Sequence, residues 1–417
     1  MSSDRARNPA RPGTFAALAV RNYRLFAASQ LLASTGAWVQ RVAQDWFVLS
    51  RSHSPTAVGV TVAMQFAPTL AFGLYGGVLA DRYPRRLLLI ATQSTAGLLS
   101  TAMALLALTG RLSVPGVQAF AFALGLVVVV DNPARQSFVG ELVGGRLIRN
   151  AVGLNSSVFQ LGGLVGPGLS GLLIGAVGVG WCFAINAAGY LPVVVALLLI
   201  DPARLRPVTG AARGTGQLRE GLRYIRDRPR LLWLVVLVGV VGALGLNMPV
   251  VLTTYSTTVF HLGPLGYGVM SSMLAVGSVA GALVSARRGS MRLRSVVAAA
   301  GVFGVLQATA ALAPDPAAYG LLLVGVGAAS LTFLTGANTA VQLGSDTGVR
   351  GRVMSIYLLV LLGGTPFGGP LVGLLTTHVG ARFGMLACGL APAVAAVVVA
   401  ARLRTERVGY CAADVPA

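Results

Sequence analysis

The stretch Gly77-Val-Leu-Ala-Asp81-Arg82-Tyr-Pro-Arg85-Arg86 separates two long apolar runs, 56–80 and 87–109, neither of which holds a charged residue. A helix needs about 20 mostly apolar residues to cross a bilayer. Two such runs joined by a short, basic, turn-forming connection describe a helical hairpin through a membrane. The same ruler finds ten more runs. Twelve spans are predicted near 24–49, 56–80, 87–109, 114–134, 152–177, 180–200, 231–256, 265–286, 295–313, 317–342, 353–377 and 383–401. Composition agrees: the 417 residues are 55% hydrophobic and 11% charged, with mean hydropathy +0.76. Soluble domains carry about 25% charge. An ordinary soluble enzyme and a disordered chain are excluded, and an all-α polytopic membrane protein is expected.

All 32 basic residues are Arg, set against 12 acidic ones for a net charge of +20. Without Lys there is no P-loop lysine and no Schiff base to pyridoxal phosphate or retinal. Arg82, Arg85 and Arg86 fall on the same side as Arg135, Arg146, Arg149, the 204–230 loop and both termini. The opposite loops hold only Arg51, Arg111 and Arg382, and Arg41 alone falls inside a span. The positive-inside rule then places both termini in the cytoplasm. The Ala, Gly, Val and Arg bias suits a GC-rich bacterial genome, so the bacterial inner membrane is the expected location. The pI of about 11.4 reflects charge facing anionic inner-leaflet lipid and implies no nucleic acid. Cys182, Cys388 and Cys411 have no metal-ligand spacing, nor do His53, His261 and His378, and no cofactor or metal is expected. Met1 to Phe15 is polar and Arg-bearing, unlike a cleaved signal peptide.

The chain repeats after about 202 residues. Leu161-Gly-Gly, Gly171-Leu-Leu and Gly178 recur as Leu362-Gly-Gly, Gly373-Leu-Leu and Gly380. This predicts two six-helix bundles related by a pseudo-two-fold axis, a parallel-repeat transporter layout. The expected divisions are 1–200, a cytoplasmic linker 201–230 with a basic amphipathic helix on the membrane face over 216–230, and 231–417 with a short cytoplasmic tail.

At Gly77–Arg86 the sequence resembles the major facilitator superfamily, whose signature there is Gly-x-x-x-Asp-Arg-x-Gly-Arg-Arg/Lys. The resemblance extends to the spans, the central loop and the repeat. Pro84 departs from the usual Gly but also suits a turn. Pro133-Ala-Arg135-Gln136, Asn150-Ala-Val and Gly351-Arg352-Val-Met-Ser look more narrowly like the bacterial drug and siderophore exporter branch. The resemblance implies a conformational latch: Gly77 permits close helix approach, and Asp81 meets the positive start of span eleven near Val353. It also implies that Arg85 pairs with an acid at the cytoplasmic end of span four, for which Asp131 is available. Arg82, Arg86 and Arg135 complete this set, with topology anchoring as the plainer role for the Arg residues. The second-half counterpart around Gly281 and Arg287 lacks the acid. Span five carries Gly162-x-x-x-Gly166-Pro167-x-x-Ser170-Gly171, which is similar to the exporters' Gly-x-x-x-Gly-Pro-x-x-Gly-Gly. Generic Gly-rich packing is the plainer reading.

Acids inside spans are costly and mark functional candidates. Asp45 and Asp131 qualify. Asp45 lies one helical turn from Arg41 and is flanked by Gln40 and Gln44, a cluster expected to face a cavity. Burial favours a neutral carboxyl and a nearby Arg a charged one, so such a pair suits proton coupling. A static Arg41–Asp45 pair is the alternative. Asp131 precedes Arg135 by four residues and reads first as a structural pair. Spans one, four, seven and ten line the superfamily's central cavity, which adds Asn247, Asn338 and Gln342 as candidates. The leading expectation is a monomeric antiporter exporting a small amphipathic drug or secreted metabolite against protons by alternating access. An importer of the same fold, a permease subunit driven by a separate ATPase, and a membrane-embedded enzyme are the alternatives. Two isolated Asp are too few for the last.

Overall fold

A computed structural model describes residues 15–145, 147–206, 217–288, 291–346 and 349–413. The first six spans are α1 (Arg21–Ser52), α2 (Pro55–Arg82), α3 (Arg85–Leu108), α4 (Val114–Val143), α5 (Ile148–Val177) and α6 (Val179–Leu199). A short helix α7 (Gln217–Arg226) follows. Span seven is broken into α8 (Pro229–Val240) and α9 (Met248–Thr254), with π turns at Val241–Gly245 and Tyr255–Val259. Spans eight to ten are α10 (Pro264–Arg288), α11 (Leu293–Ala310) and α12 (Pro316–Leu343). Span eleven is α13 (Arg350–Gly363) followed by α14 (Thr365–Val379), and span twelve lies in α15 (Ala381–Ala413).

Eleven stretches of the described residues are long and apolar enough to cross a membrane by length and composition. The twelfth expected span, α1, is missing from that set because Gln30, Gln40, Arg41, Gln44 and Asp45 interrupt its apolar residues. It still runs the full 32 residues, and its neighbours bury those polar groups.

Caps repeat between the halves, as the sequence repeat requires. Ser113 accepts from Gly116 N at the start of α4, and Asp315 from Ala318 N at the start of α12, each with a Pro in the first turn. Such caps satisfy otherwise orphaned amides. Gly178 and Gly380 end spans five and eleven at φ of 89° and 101°. That region is open to glycine, which explains why both copies of the repeat place one there. His53 and His261 end spans one and seven at φ of 50° and 51°.

Packing repeats too. α2 lies on α4 as α10 lies on α12, and α3 on α6 as α11 on α15. A side chain at Gly76 would collide with the Val129 carbonyl, and one at Gly277 with the Val324 carbonyl. Small residues let helix backbones touch in a lipid environment that offers no hydrophobic drive between helices. The bundles meet through α2 on α14 and α5 on α10, a pairing that the two-fold exchanges.

Three buried clusters show how the bundles sit. On the face away from the termini, here the far face, one cluster joins both halves: Val39, Phe47 and Phe183 share it with Val251, Tyr267 and Tyr319. Toward the termini face there are two clusters, one for each half. One holds Phe26, Phe138 and Leu197. The other holds Leu234, Phe303, Phe333 and Tyr357. The bundles therefore share a buried core at the far face and keep separate ones toward the termini face.

Candidate functional site

The far face closes through specific contacts between the bundles. Tyr267 of α10 donates to the Asp45 carboxylate of α1 at 3.3 Å. The Trp46 ring stacks on Tyr267 at 6.3 Å between centroids. Thr56 and Thr377 share a hydroxyl hydrogen bond of 2.9 Å. Gly171 and Gly268 cross without room for a side chain: a methyl on either would lie 2.8 Å from backbone atoms of the other helix. Gly59 crosses Gly369 in the same way. The contacts of α2 with span eleven continue down to Leu70 against Gly363.

The span-five residues all act in packing. Side chains at Gly162 and Gly166 would strike Ser34 and Trp38 of α1. The Pro167 carbonyl lies 2.8 Å from where a methyl of Gly268 would be. Ser170, in place of the exporters' Gly, is fully buried and donates to the Val39 carbonyl at 2.9 Å. Span five is thus held between spans one and eight, bridging the two bundles.

Asp45 is 4% exposed and seven residues from the end of α1. It makes no direct ion pair with Arg41. Its hydrogen bond reaches across the bundle interface to Tyr267, while Arg41 stays near enough to act on it electrostatically. Arg41 instead lies over the Trp38 ring at 4.7 Å, and its Nε has no partner. Gln40 and Gln44 do not face a cavity between the bundles. Gln40 accepts from Asn186 of α6 at 2.5 Å, and Gln44 points at Met103 of α3. Both fill the interior of the first bundle.

That interior holds a polar ladder. Asp131, 2% exposed, accepts from Thr92 at 2.9 Å, from Gln93 at 2.7 Å and from Arg135. Arg135 also donates to Gln30 at 3.2 Å. Tyr190 of α6 interacts electrostatically with both Arg135 and Arg41, and with Asn186 and Ser100. A buried carboxylate with three donors is a satisfied group, and the i,i+4 pair of Asp131 with Arg135 is present.

The partner expected for Arg85 needs correction. Arg85 pairs with Glu141, not Asp131. Helix α4 runs to Val143, nine residues beyond the predicted end, and Glu141 is the acid at its true terminus. Ten residues along a helix is about 15 Å, which puts Asp131 deep in the bundle. By the same extension Arg135 lies inside a helix and not in a loop. Arg86 caps the end of α6, donating to the carbonyls of Leu197 at 2.7 Å and Leu198 at 2.9 Å. The loop Arg residues thereby tie spans three, four and six together. In α2 the close approach to α4 falls to Gly76, with Gly77 buried beside it. Arg82 and Asp81 are exposed. Span eleven begins at Arg350, one turn before the expected start, with no side-chain cap on its first amides.

Asn247 is 1% exposed. It donates to Ala243 O at 2.5 Å in the break of span seven and packs against Gly368 and Gly369. It is wedged between spans seven and eleven and lines no open space. Asn338 and Gln342 do sit on the accessible side of span ten, joined at 2.6 Å. The linker helix α7 packs one side against span eleven and leaves Leu222, Arg219, Arg223 and Arg226 exposed. Its Ile225 is 3% exposed, Gly221 abuts Ile356, and Glu220 pairs with Arg352 of α13. Cys182 and Cys388 are buried and unpaired, Cys411 and Arg149 carry no described side chain, and Arg146 and residue 216 lie outside the described residues. No group of three potential metal ligands occurs among the described residues.

Glu141, Gln93, Asn186, Tyr190 and Tyr267 were not anticipated. Gln93 and Asn186 did give a signal, being amides in otherwise apolar spans. Tyr267 gave none, because its partner lies 222 residues away.

The architecture matches that of solved membrane transporters. A POT family transporter in complex with 5-aminolevulinic acid superposes with TM-score 0.75 at 13% identity, covering 94% of this chain and 97% of that one. A bacterial homologue of the human lysosomal transporter Spinster, inward-facing and occupied, gives 0.73 at 16% identity, covering 93% and 97%. Residues 12–412 match the MFS_3 family model, described as Transmembrane secretion effector, and the chain belongs to that family of transporters, which are not enzymes. It is 22% identical over 265 residues to the Staphyloferrin A transporter of Staphylococcus aureus, covering 63% of this chain and 66% of the relative. It is 26% identical over 263 residues to the Enterobactin exporter EntS of Escherichia coli, covering 61% and 63%. The chain thus spans just under two thirds of the curated relatives it matches.

Proposed function

We propose that the protein exports a small amphipathic molecule in exchange for protons, and that this structure has its far face shut. Family membership makes it a secondary transporter. Two supports favour export: the span-five pattern and the similarity to an enterobactin exporter. The substrate class best matched to that relative is an iron-chelating secreted metabolite, with amphipathic drugs as the second class to test.

The observation that carries the coupling is the Asp45–Tyr267 hydrogen bond. A charged carboxylate accepting a hydroxyl makes a stronger bond than a neutral carboxyl does. Asp45 in its charged form therefore holds the empty carrier shut at the far face. Substrate in the termini-face opening, or a proton on Asp45, loosens that hold. Once the far face opens, Asp45 meets outside water and takes a proton. On return it gives the proton up beside Arg41, one turn closer to the termini face. Coupling of this kind needs one acid at the interface that both events must pass through, and Asp45 has that position.

In this reading both termini lie in the cytoplasm of a bacterial inner membrane, and the protein works as a monomer. Residues 1–200 and 231–417 rock as two bodies about the 201–230 linker. When the termini face closes, Gly77, Asp81 and Arg82 dock at the uncapped start of α13, where a carboxylate meets the helix dipole.

The test is proton movement in proteoliposomes on adding enterobactin, staphyloferrin A or amphipathic cations. Wild type is expected to move protons with at least one class. Asp45→Asn should abolish proton movement, while Asp81→Asn should slow it. Substrate flux with no proton movement in wild type would remove protons as the coupling ion. Flux only down an inward substrate gradient would favour the importer.

A further inference from the structure

Helices α11 and α15 cross tightly at one level and part at the next. A methyl on Gly304 would lie 2.5 Å from both the Gly389 carbonyl and the Ala393 amide. One turn closer to the termini face, a methyl on Gly301 would meet Ala396 at an ordinary 3.6 Å. The parting opens a cleft of about 440 Å³ between these helices and the start of α8. Its walls include Val297, Gly301, Ala396 and Ala400. Its rim on the termini face carries Arg230 and Arg294. Both Arg residues are exposed, and neither has a carboxylate partner among the described residues. The cleft opens to the outside of the bundle beside Val397, which is 69% exposed. Exposed apolar surface of this kind on a spanning helix faces acyl chains.

We propose that this cleft binds an anionic phospholipid, with its phosphodiester between Arg230 and Arg294 and an acyl chain along the wall of Val297, Gly301, Ala396 and Ala400. Charge complementarity selects the occupant. Two guanidiniums without a carboxylate partner among the described residues, above an apolar slot, match a negative headgroup on a chain, and planar guanidinium forks suit phosphate oxygens. The starts of α8 and α11 bring both Arg residues to the same rim, and their helix dipoles add positive potential there. A soluble anion would not need the apolar wall, and a zwitterionic lipid would not need both cations. The site lies outside the gate and the polar ladder, so it stands apart from the direction and coupling of transport.

The test is native mass spectrometry of the full, delipidated protein titrated with phosphatidylglycerol, cardiolipin, phosphatidylethanolamine or inorganic phosphate. Wild type should retain the anionic lipids over phosphatidylethanolamine. Two cations at about 1 kcal/mol each predict roughly thirty-fold weaker retention in Arg230→Gln/Arg294→Gln. Gly301→Leu, which fills the slot and keeps both charges, should also weaken retention. Lipid-free melting temperatures within error of wild type verify that both variants fold. Equal retention of phosphatidylethanolamine, or unchanged retention in the Arg pair, would overturn the proposal. So would inorganic phosphate competing as well as the lipid.

Discussion

At the scale of single residues, Asp45 lies at the bundle interface and Arg85 beside the end of span four. Asp45 stood out because an acid inside a span is costly, and the structure gives it a contact that spans the two bundles. What could not be read was which group it meets, since that depends on how two helices from different halves face each other. Arg85 shows a different limit. Hydropathy placed the end of span four where the apolar run stops, yet the helix continues to Val143 in amphipathic form. Asp131 was thus the nearest acid in sight, while Glu141 lay in what read as a loop. This pairing yields a prediction by charge exchange. Arg85→Glu should lower thermal stability by roughly 1–2 kcal/mol, with Glu141→Arg in the same chain recovering most of it. Asp131→Arg in its place should make matters worse, because it removes the acceptor of Thr92 and Gln93. The readout is the melting temperature of the three purified variants in detergent.

At the scale of elements, length and apolar content fixed the number of spans, but not their breaks. Spans seven and eleven read as continuous helices. The structure interrupts the first at Val241–Gly245 and parts the second at Gly364. Both breaks fall on Gly-rich stretches near Pro249 and Pro366, and they lean together, since a side chain on Gly364 would lie 2.9 Å from Ala243. Local breakers were visible in the sequence; that they would be matched across two helices was not. Helix α7 is the other surprise. Its basic, amphipathic pattern suits a lipid surface, and the structure adds a protein contact that the pattern did not show, the fit of Gly221 and Ile225 to neighbouring helices such as α13. Ile225→Asp places a charge in that contact and should release α7. Limited trypsin digestion should then cut at Arg223 and Arg226 several-fold faster than in wild type. An unchanged digestion rate would mean that α7 is held by Glu220–Arg352 and by the Arg228–Asp346 pair just beyond its end.

At the scale of the whole molecule, the repeat of about 202 residues was the strongest sequence signal. It reappears as matched caps, matched glycine crossings and the paired φ angles of Gly178 and Gly380. What no repeat can tell is which face is open, because both states satisfy the same symmetry. The structure adds an asymmetry that the repeat lacks: one buried cluster shared at the far face and two separate ones toward the termini. If rocking of the bundles carries transport, fixing the far face must stop it. Oxidative cross-linking of Thr56→Cys with Thr377→Cys, whose hydroxyls lie 2.9 Å apart, should abolish flux, and reduction should restore it. Undiminished flux in the cross-linked protein would exclude opening between α2 and α14.

The most direct test is the spin-label distance between Arg111→Cys and Leu312→Cys, one on each bundle at the far face, measured by double electron–electron resonance from pH 8 to pH 5. Protonation of Asp45 weakens its bond to Tyr267, so wild type should gain a longer-distance population as the pH falls. Asp45→Asn, which carries no charge at any pH, should show that population throughout and no pH response. A wild-type distribution that ignores pH, or an Asp45→Asn protein that still follows it, would contradict the claim that this carboxylate governs the gate.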